Sequence, residues 1–201
     1  MCSSDLRPNT LLAMLMFAGI ACCVGMSMPQ VHIVAYCGDL GYGVQRGAEM
    51  LAIMLGAGIV SRLVSGWICD RIGGIATLLL GSSLQCLMLI AYLPFDGLTA
   101  LYIVSALFGL VQGGIVPSYA IIVRENFPPQ QAATRVSAVL MSTVAGMALG
   151  GWLSGLIFDL TGSYRAAFLH GIVWNLINLA IALHLASRSG RFGGTPRLAA
   201  A

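Results

Sequence analysis

The chain contains no lysine, and charged residues of both signs make up only 8% of its 201 residues. Its ten basic residues are all arginines spread along the chain, so no basic face for nucleic acid is expected. A nucleotide-binding phosphate loop needs a lysine, so the composition excludes ATP-driven chemistry. The six cysteines form no CxxC pair, and we interpret them as small apolar packing residues rather than a disulfide or zinc framework.

Hydrophobic residues, by contrast, account for 58% of the chain, which predicts that its solvent is lipid. A helix rises about 1.5 Å per residue, so about 20 apolar residues cross the hydrocarbon of a bilayer. Six segments meet this criterion, and they predict an all-α integral membrane bundle. The predicted spans are 11–31, 47–68, 75–93, 100–122, 136–158 and 165–186.

The positions of the arginines predict the orientation, because cytoplasmic loops retain basic residues during insertion. With the amino terminus inside, seven arginines lie in the cytoplasm, two lie outside and Arg62 lies within a span. We therefore expect a multi-pass plasma membrane protein, of a bacterial inner membrane, with both termini cytoplasmic. Residues 1–10 are expected to be a linker or non-native sequence, residues 11–186 the membrane domain, and residues 187–201 a disordered cytoplasmic tail.

A short pattern occurs twice at a constant offset. SGWICDRIG (65–73) ends the second predicted span, and SGLIFDLTG (154–162) ends the fifth. The second and fifth spans are each the middle span of a group of three, which indicates two three-helix units in tandem. Because each unit has an odd number of spans, the second unit is inverted relative to the first. The alternative is coincidence between two glycine-rich helix ends.

The segment GWICDRIGG (66–74) resembles the GxxxDRxG signature of the major facilitator superfamily, and RENFPPQQAATR (124–135) is similar to a later loop of that family. The resemblance implies a fold of twelve helices in two bundles, of which this chain is the carboxyl-terminal half and the amino-terminal six-helix half is its partner. It also implies a gating latch at the helix ends. The implied latch residues, with their counterparts in the repeat, are Gly66, Asp70, Arg71, Gly73, Asp159 and Gly162.

Arg62 is the strongest candidate for contact with a substrate. It lies eight residues before Asp70, about 12 Å deeper in the bilayer. A buried arginine costs roughly 2.5–3.5 kcal/mol on insertion scales, so it should face the bundle interior and find a partner. A carboxylate suits its two parallel donors. The alternative is that its long stem snorkels to the headgroups.

The stretch SRLVSG (61–66) resembles the eighth helix of monocarboxylate transporters and of oxalate/formate antiporters, where an arginine is implicated in carboxylate binding. Gly58 stands where the animal transporters carry an aspartate for proton coupling. No basic residue occurs in 136–158, where the oxalate antiporters carry a lysine. The resemblance therefore favours a monocarboxylate over a dicarboxylate.

Four other polar residues within spans are weaker candidates for substrate binding. His32 and Tyr36 are spaced to share one helix face near the outer mouth, where an interfacial role is an equal alternative. Gln112 and Asn175 are placed to line a cavity, although interhelical hydrogen bonds explain them equally well.

These observations predict secondary active transport of a small organic anion, a monocarboxylate, by symport or antiport, with or without a proton. No enzymatic activity, cofactor or metal is expected, since serine and histidine do not line up as an intramembrane protease requires. Two alternatives stay open at this point. The chain could be a non-transporting membrane scaffold, or a six-helix protomer that acts only as a dimer.

Overall fold

The computed structural model describes residues 7–188, and the predictions for residues 1–6 and 189–201 lie outside them. The described part is helical apart from short turns. Six helical segments are long and apolar enough to cross a membrane, which confirms the predicted number of spans. The helices are α1 Pro8–Asp39, α2 Val44–Ile72, α3 Gly74–Ala91, α4 Leu98–Gln112, α5 Ile115–Asn126, α6 Pro129–Thr161 and α7 Tyr164–Arg188.

Two helices are longer than the hydropathy pattern predicts. The first helix continues to Asp39, so His32 and Tyr36 lie inside it and not at its end. The segment 124–135, predicted as a loop, is mostly helical, and only Phe127 and Pro128 separate α5 from α6. Polar residues continue both helices beyond the hydrocarbon, where hydropathy gives no signal for a boundary.

The fourth span is two helices rather than the single one predicted. Gly113 and Gly114 interrupt it, so that α4 ends at Gln112 and α5 begins at Ile115. A side chain at either glycine would collide with α2: a β-carbon at Gly113 would meet the carbonyl of Gly58, and one at Gly114 would meet the hydroxyl of Ser65. The interruption therefore lies where two backbones touch.

The final glycines of the repeated motif end their helices in the same way. Gly73 caps α2 with a φ of 83°, and Gly162 caps α6 with a φ of 63°. Their N–H groups donate back to the carbonyls of Cys69 and Phe158, at 2.8 and 2.7 Å. A left-handed backbone favours glycine, so the repeat marks the end of the second helix in each unit.

In each unit the first helix packs against the second helix of the other unit. The first helix of the first unit, α1, packs against α6, the second helix of the second unit. Reciprocally, α4 packs against α2, and the two third helices, α3 and α7, pack against each other. This reciprocal pattern is that of two inverted three-helix repeats.

Burial differs strongly between the helices. The most buried is α1, whereas α2 and α6 are the most exposed. Leu63 on α2 is 74% exposed and Leu160 on α6 is 77% exposed. Such exposure of large apolar side chains suits lipid or another helical bundle rather than water.

Candidate functional site

Arg62 lies on an open side of α2, inside the span. Ten residues separate it from Ile72 at the end of α2, a distance of about 15 Å along the helix. Its side chain is exposed and makes no ion pair or hydrogen bond within residues 7–188. The side chain therefore does not face the interior of the described bundle, as the sequence led us to expect, and the guanidinium is available to a ligand.

A pair of glutamine side chains, which we call the amide pair, joins α1 to α4. The Nε2–H of Gln30 donates to Oε1 of Gln112. Gln30 follows Pro29, a proline within α1, and Gln112 precedes the glycines that end α4. Gln112 is buried and Gln30 half-buried. Interrupted helices in corresponding positions of inverted repeats are a common feature of transporter binding sites.

The amide pair lies close to the turn of α2 that carries Arg62. Nε2 of Gln112 is 3.9 Å from the place a β-carbon on Gly58 would take. Gly58 and Arg62 are four residues apart, so they share a face and lie about 6 Å apart along the helix axis. Beside them, the buried Oγ of Ser61 has no hydrogen-bond partner. The structure thus places Gln112 beside Gly58, one helical turn before Arg62.

His32 and Tyr36 share one face of α1, as predicted, since both rings contact Tyr164 on α7. His32 is only two residues beyond Gln30, but its ring lies on the face of α1 that meets α6 and α7. His32 Nε2 is 2.9 Å from the carbonyl of Gly151 on α6. The structure therefore does not join these residues to Arg62 in one site.

A charged cluster near the end of α1 at Asp39 was not predicted from the sequence. Asp96, in the turn between α3 and α4, pairs with Arg165 at 3.0 Å. The hydroxyl of Tyr36 donates to its Oδ1, and that of Tyr42 to its carbonyl, each at 2.9 Å. We call Asp96, Arg165, Tyr36 and Tyr42 the outer clamp. Opposite charges in two predicted outer loops, PFDG and DLTGSYR, were the available signal.

Asn175 lies in a buried polar cluster away from Arg62. Its Nδ2 donates to the carbonyl of Ser82 on α3 at 2.9 Å, and Asn178 donates to the hydroxyl of the same serine at 2.8 Å. Tyr119 on α5 donates to Oδ1 of Asn178 at 2.7 Å. These contacts are the interhelical hydrogen bonds that the sequence left as an alternative. A role for Asn175 in substrate binding stays a prediction.

The signature residues of the first unit lie at the end of α2. Gly66 was expected to admit a close helix, but no atom of the described chain lies within 4 Å of a β-carbon built on it. Arg71 was expected to pair across the bundle, but its guanidinium stacks 3.9 Å above the ring of Trp67 on its own helix. Asp70 and Asp159 are exposed and accept no hydrogen bond within residues 7–188. No partner that would form a latch with these residues is found among residues 7–188.

Six spans in two inverted units, with a break in the fourth span and an arginine in the second span that has no partner among residues 7–188, define a bundle of the secondary transporter type. The family model of the Major Facilitator Superfamily matches residues 10–199, and the chain belongs to this family. Its members found as relatives and structural neighbours are transporters, not enzymes.

Two curated relatives carry the name of one transporter type. The chain is 30% identical over 146 residues to monocarboxylate transporter 13 of Rattus norvegicus, which covers 72% of the chain and 34% of the relative. It is 26% identical over 203 residues to monocarboxylate transporter 12 of Xenopus laevis, covering 96% of the chain and 42% of the relative. The chain thus spans well under half the length of these relatives.

The fold matches solved transporters. A crystal structure of a peptide transporter POT (E310Q mutant) aligns with a TM-score of 0.80 and 20% identity, over 93% of this chain and 40% of the other. This likeness shows the fold: the chain has the architecture of one six-helix portion of that transporter.

Proposed function

We propose that the chain is the carboxyl-terminal half of a secondary transporter that moves a small organic anion, a monocarboxylate, by alternating access. The observation that carries this proposal is the unpaired guanidinium of Arg62 within a membrane span. A charge in that position is costly, and an anionic ligand offsets the cost when it binds. A planar guanidinium also holds a carboxylate with two parallel hydrogen bonds.

The amide pair supports the same ligand class. The Nε2–H groups of Gln112 lie toward Gly58, one turn of α2 before Arg62, and we propose that both side chains donate to one anion. The names of the relatives, monocarboxylate transporters 12 and 13, agree with a carboxylate. Gly58 carries no carboxyl group that could neutralise Arg62 when the site is empty, so we propose that coupling does not use such a pair.

The exposed apolar faces of α2 and α6 support the proposed partner, an amino-terminal six-helix half. Leu63 on α2 and Trp152 on α6, which is 63% exposed, lie on these faces. In this arrangement the two halves rock about a site near the bilayer midplane. Gly66 and Arg71, on the open side of α2, then meet the other half and form the latch at the cytoplasmic side. The proposed location is a bacterial inner membrane with both termini inside.

Uptake measurements with the reading frame that contains this chain test the proposal. The protein is produced in cells, and uptake of labelled acetate, lactate and benzoate is compared for wild type, Arg62→Lys and Arg62→Gln at equal amounts in the membrane. Loss of a hydrogen bond to a charged group reduces uptake at limiting substrate by about tenfold or more. Arg124→Lys, at the exposed end of α5, is the matched control and retains uptake.

Unchanged uptake in both Arg62 variants would remove the direct role of this residue. Thiol labelling gives a second measurement. Arg62→Cys should react with a membrane-impermeant reagent in the presence of the partner half, and the transported carboxylate should slow the reaction. The control is Leu63→Cys, because Leu63 lies on the exposed apolar face of α2. Labelling that places position 62 in lipid contradicts the proposal.

A further inference from the structure

The direction of the hydrogen bond in the amide pair is informative. Gln30 acts as the donor and Oε1 of Gln112 as the acceptor. A side-chain amide has one oxygen and one NH2 group on opposite sides, so occupying the oxygen fixes the direction of the nitrogen. In Gln112 that nitrogen lies toward Gly58 on α2.

The nitrogen of Gln112 therefore faces α2 at Gly58, one helical turn before Arg62. If the amide of Gln112 turned over, its oxygen would occupy this place instead. An oxygen there would repel an anionic ligand and would itself compete for the guanidinium. Two amides can pair in either polarity, and the structure has the one in which Gln30 donates, which leaves the nitrogen of Gln112 toward α2.

We propose that Gln30 is a positioning residue for anion binding: it holds the amide of Gln112 with its N–H groups toward Arg62. This inference rests on the proposed function, since it concerns the same site. Gln30 need not touch the anion. It acts through Gln112, and it fixes the orientation of the second donor that the anion meets.

The competing role for the amide pair is mechanical, a tie between α1 and α4. The chain offers a matched control for a mechanical tie. Gln85 on α3 also forms an interhelical hydrogen bond, from its Nε2 to the carbonyl of Cys22 on α1 at 3.2 Å. It is fully buried and does not contact Gln112. Loss of this bond weakens helix packing without altering the direction of the Gln112 amide.

The experiment measures KM and kcat for uptake of the labelled monocarboxylate with Gln30→Leu, Gln30→His and Gln85→Leu, using the same full reading frame in proteoliposomes. Gln30→Leu is expected to raise KM by about tenfold with little change in kcat, as for one hydrogen bond to a charged group. Gln30→His retains an N–H donor and should keep KM near the wild-type value. Gln85→Leu should lower thermal stability and leave KM unchanged.

A further variant tests the mechanism of positioning. In Gln112→Lys the side chain has donors in every orientation, so adding Gln30→Leu to it should produce no further rise in KM. An unchanged KM in Gln30→Leu alone would overturn the positioning role, and so would equal kinetic effects of Gln30→Leu and Gln85→Leu. A wild-type protein that takes up none of the three carboxylates would refute the proposed function itself, and this inference with it.

Discussion

Gly150 on α6 and Val24 on α1 lie in backbone contact: a β-carbon added to Gly150 would be 2.6 Å from Cα of Val24. We expect Gly150→Ala to lower the free energy of unfolding by about 1–3 kcal/mol, because backbone and not a flexible side chain must move. Unfolding in mixed micelles measures the change. Gly56→Ala, with no atom within 4 Å of the added carbon, is the control and should be neutral or stabilise by up to about 1 kcal/mol. Equal effects of the two substitutions would contradict the packing.

The hydrogen bond between Tyr119 and Asn178 connects α5 to α7 inside the bundle. A double-mutant cycle with Tyr119→Phe and Asn178→Leu should give a coupling energy of about 0.6–1.7 kcal/mol, the range for such bonds between membrane helices. Unfolding in mixed micelles again supplies the four free energies. Tyr164→Phe is a suitable control, since its hydroxyl has no hydrogen bond within residues 7–188. Additive effects of the two substitutions would show that the bond contributes nothing.

In the outer clamp, the carboxylate of Asp96 forms an ion pair with Arg165 and accepts a hydrogen bond from the buried Tyr36. These two interactions should contribute differently to the free energy of unfolding. Asp96 and Arg165 have side chains 42% and 65% exposed, so their coupling should be below about 1 kcal/mol and should fall further in high salt. Tyr36, only 5% exposed, donates to the same carboxylate. Tyr36→Phe should therefore cost about 1.5–3 kcal/mol. A larger, salt-dependent cost for Arg165→Ala would reverse this ranking.

The orientation is testable with reporter fusions. Alkaline phosphatase is active only after export, so a fusion after Ala201 should be inactive, while insertion at Gly97, between α3 and α4, should give active enzyme. The physical reason is retention of arginine-rich ends in the cytoplasm. A fluorescent protein after Ala201 serves as the positive control for synthesis. Phosphatase activity at Ala201 would show that the chain inserts the other way round.

The spans were predictable because the free energy of transferring about twenty apolar residues into lipid exceeds the local conformational preferences of those residues. The repeat was predictable because a helix that ends with a residue at positive φ favours glycine at that position. Gly73 and Gly162 are the two such glycines of the repeated motif. The interruption at Gly113 was not predicted. Its cause is contact with Gly58, more than fifty residues away, and hydropathy carries no information about such a contact.

For the site, the charge of Arg62 singled out one span, since a lone arginine among apolar residues is conspicuous. Gln30 was missed, because the predicted span was expected to end just beyond it and a glutamine near a helix end carries no signal. Asn175 and His32 were indistinguishable from structural polar residues by sequence alone. The distance of Asn175 and His32 from Arg62 depends on how α7 and α1 are rotated about their axes within the bundle.

The reciprocal packing of the two units has a consequence for biogenesis. The most buried helix, α1, is synthesised first, yet its packing partners α6 and α7 are synthesised last. Within its own unit α1 packs mainly against α2, so a nascent chain that stops after α3 still lacks the larger part of the surface that buries α1. We expect α1 to remain in contact with lipid or with the insertion machinery until the last helix emerges. The bundle should therefore assemble only after translation of the chain is complete.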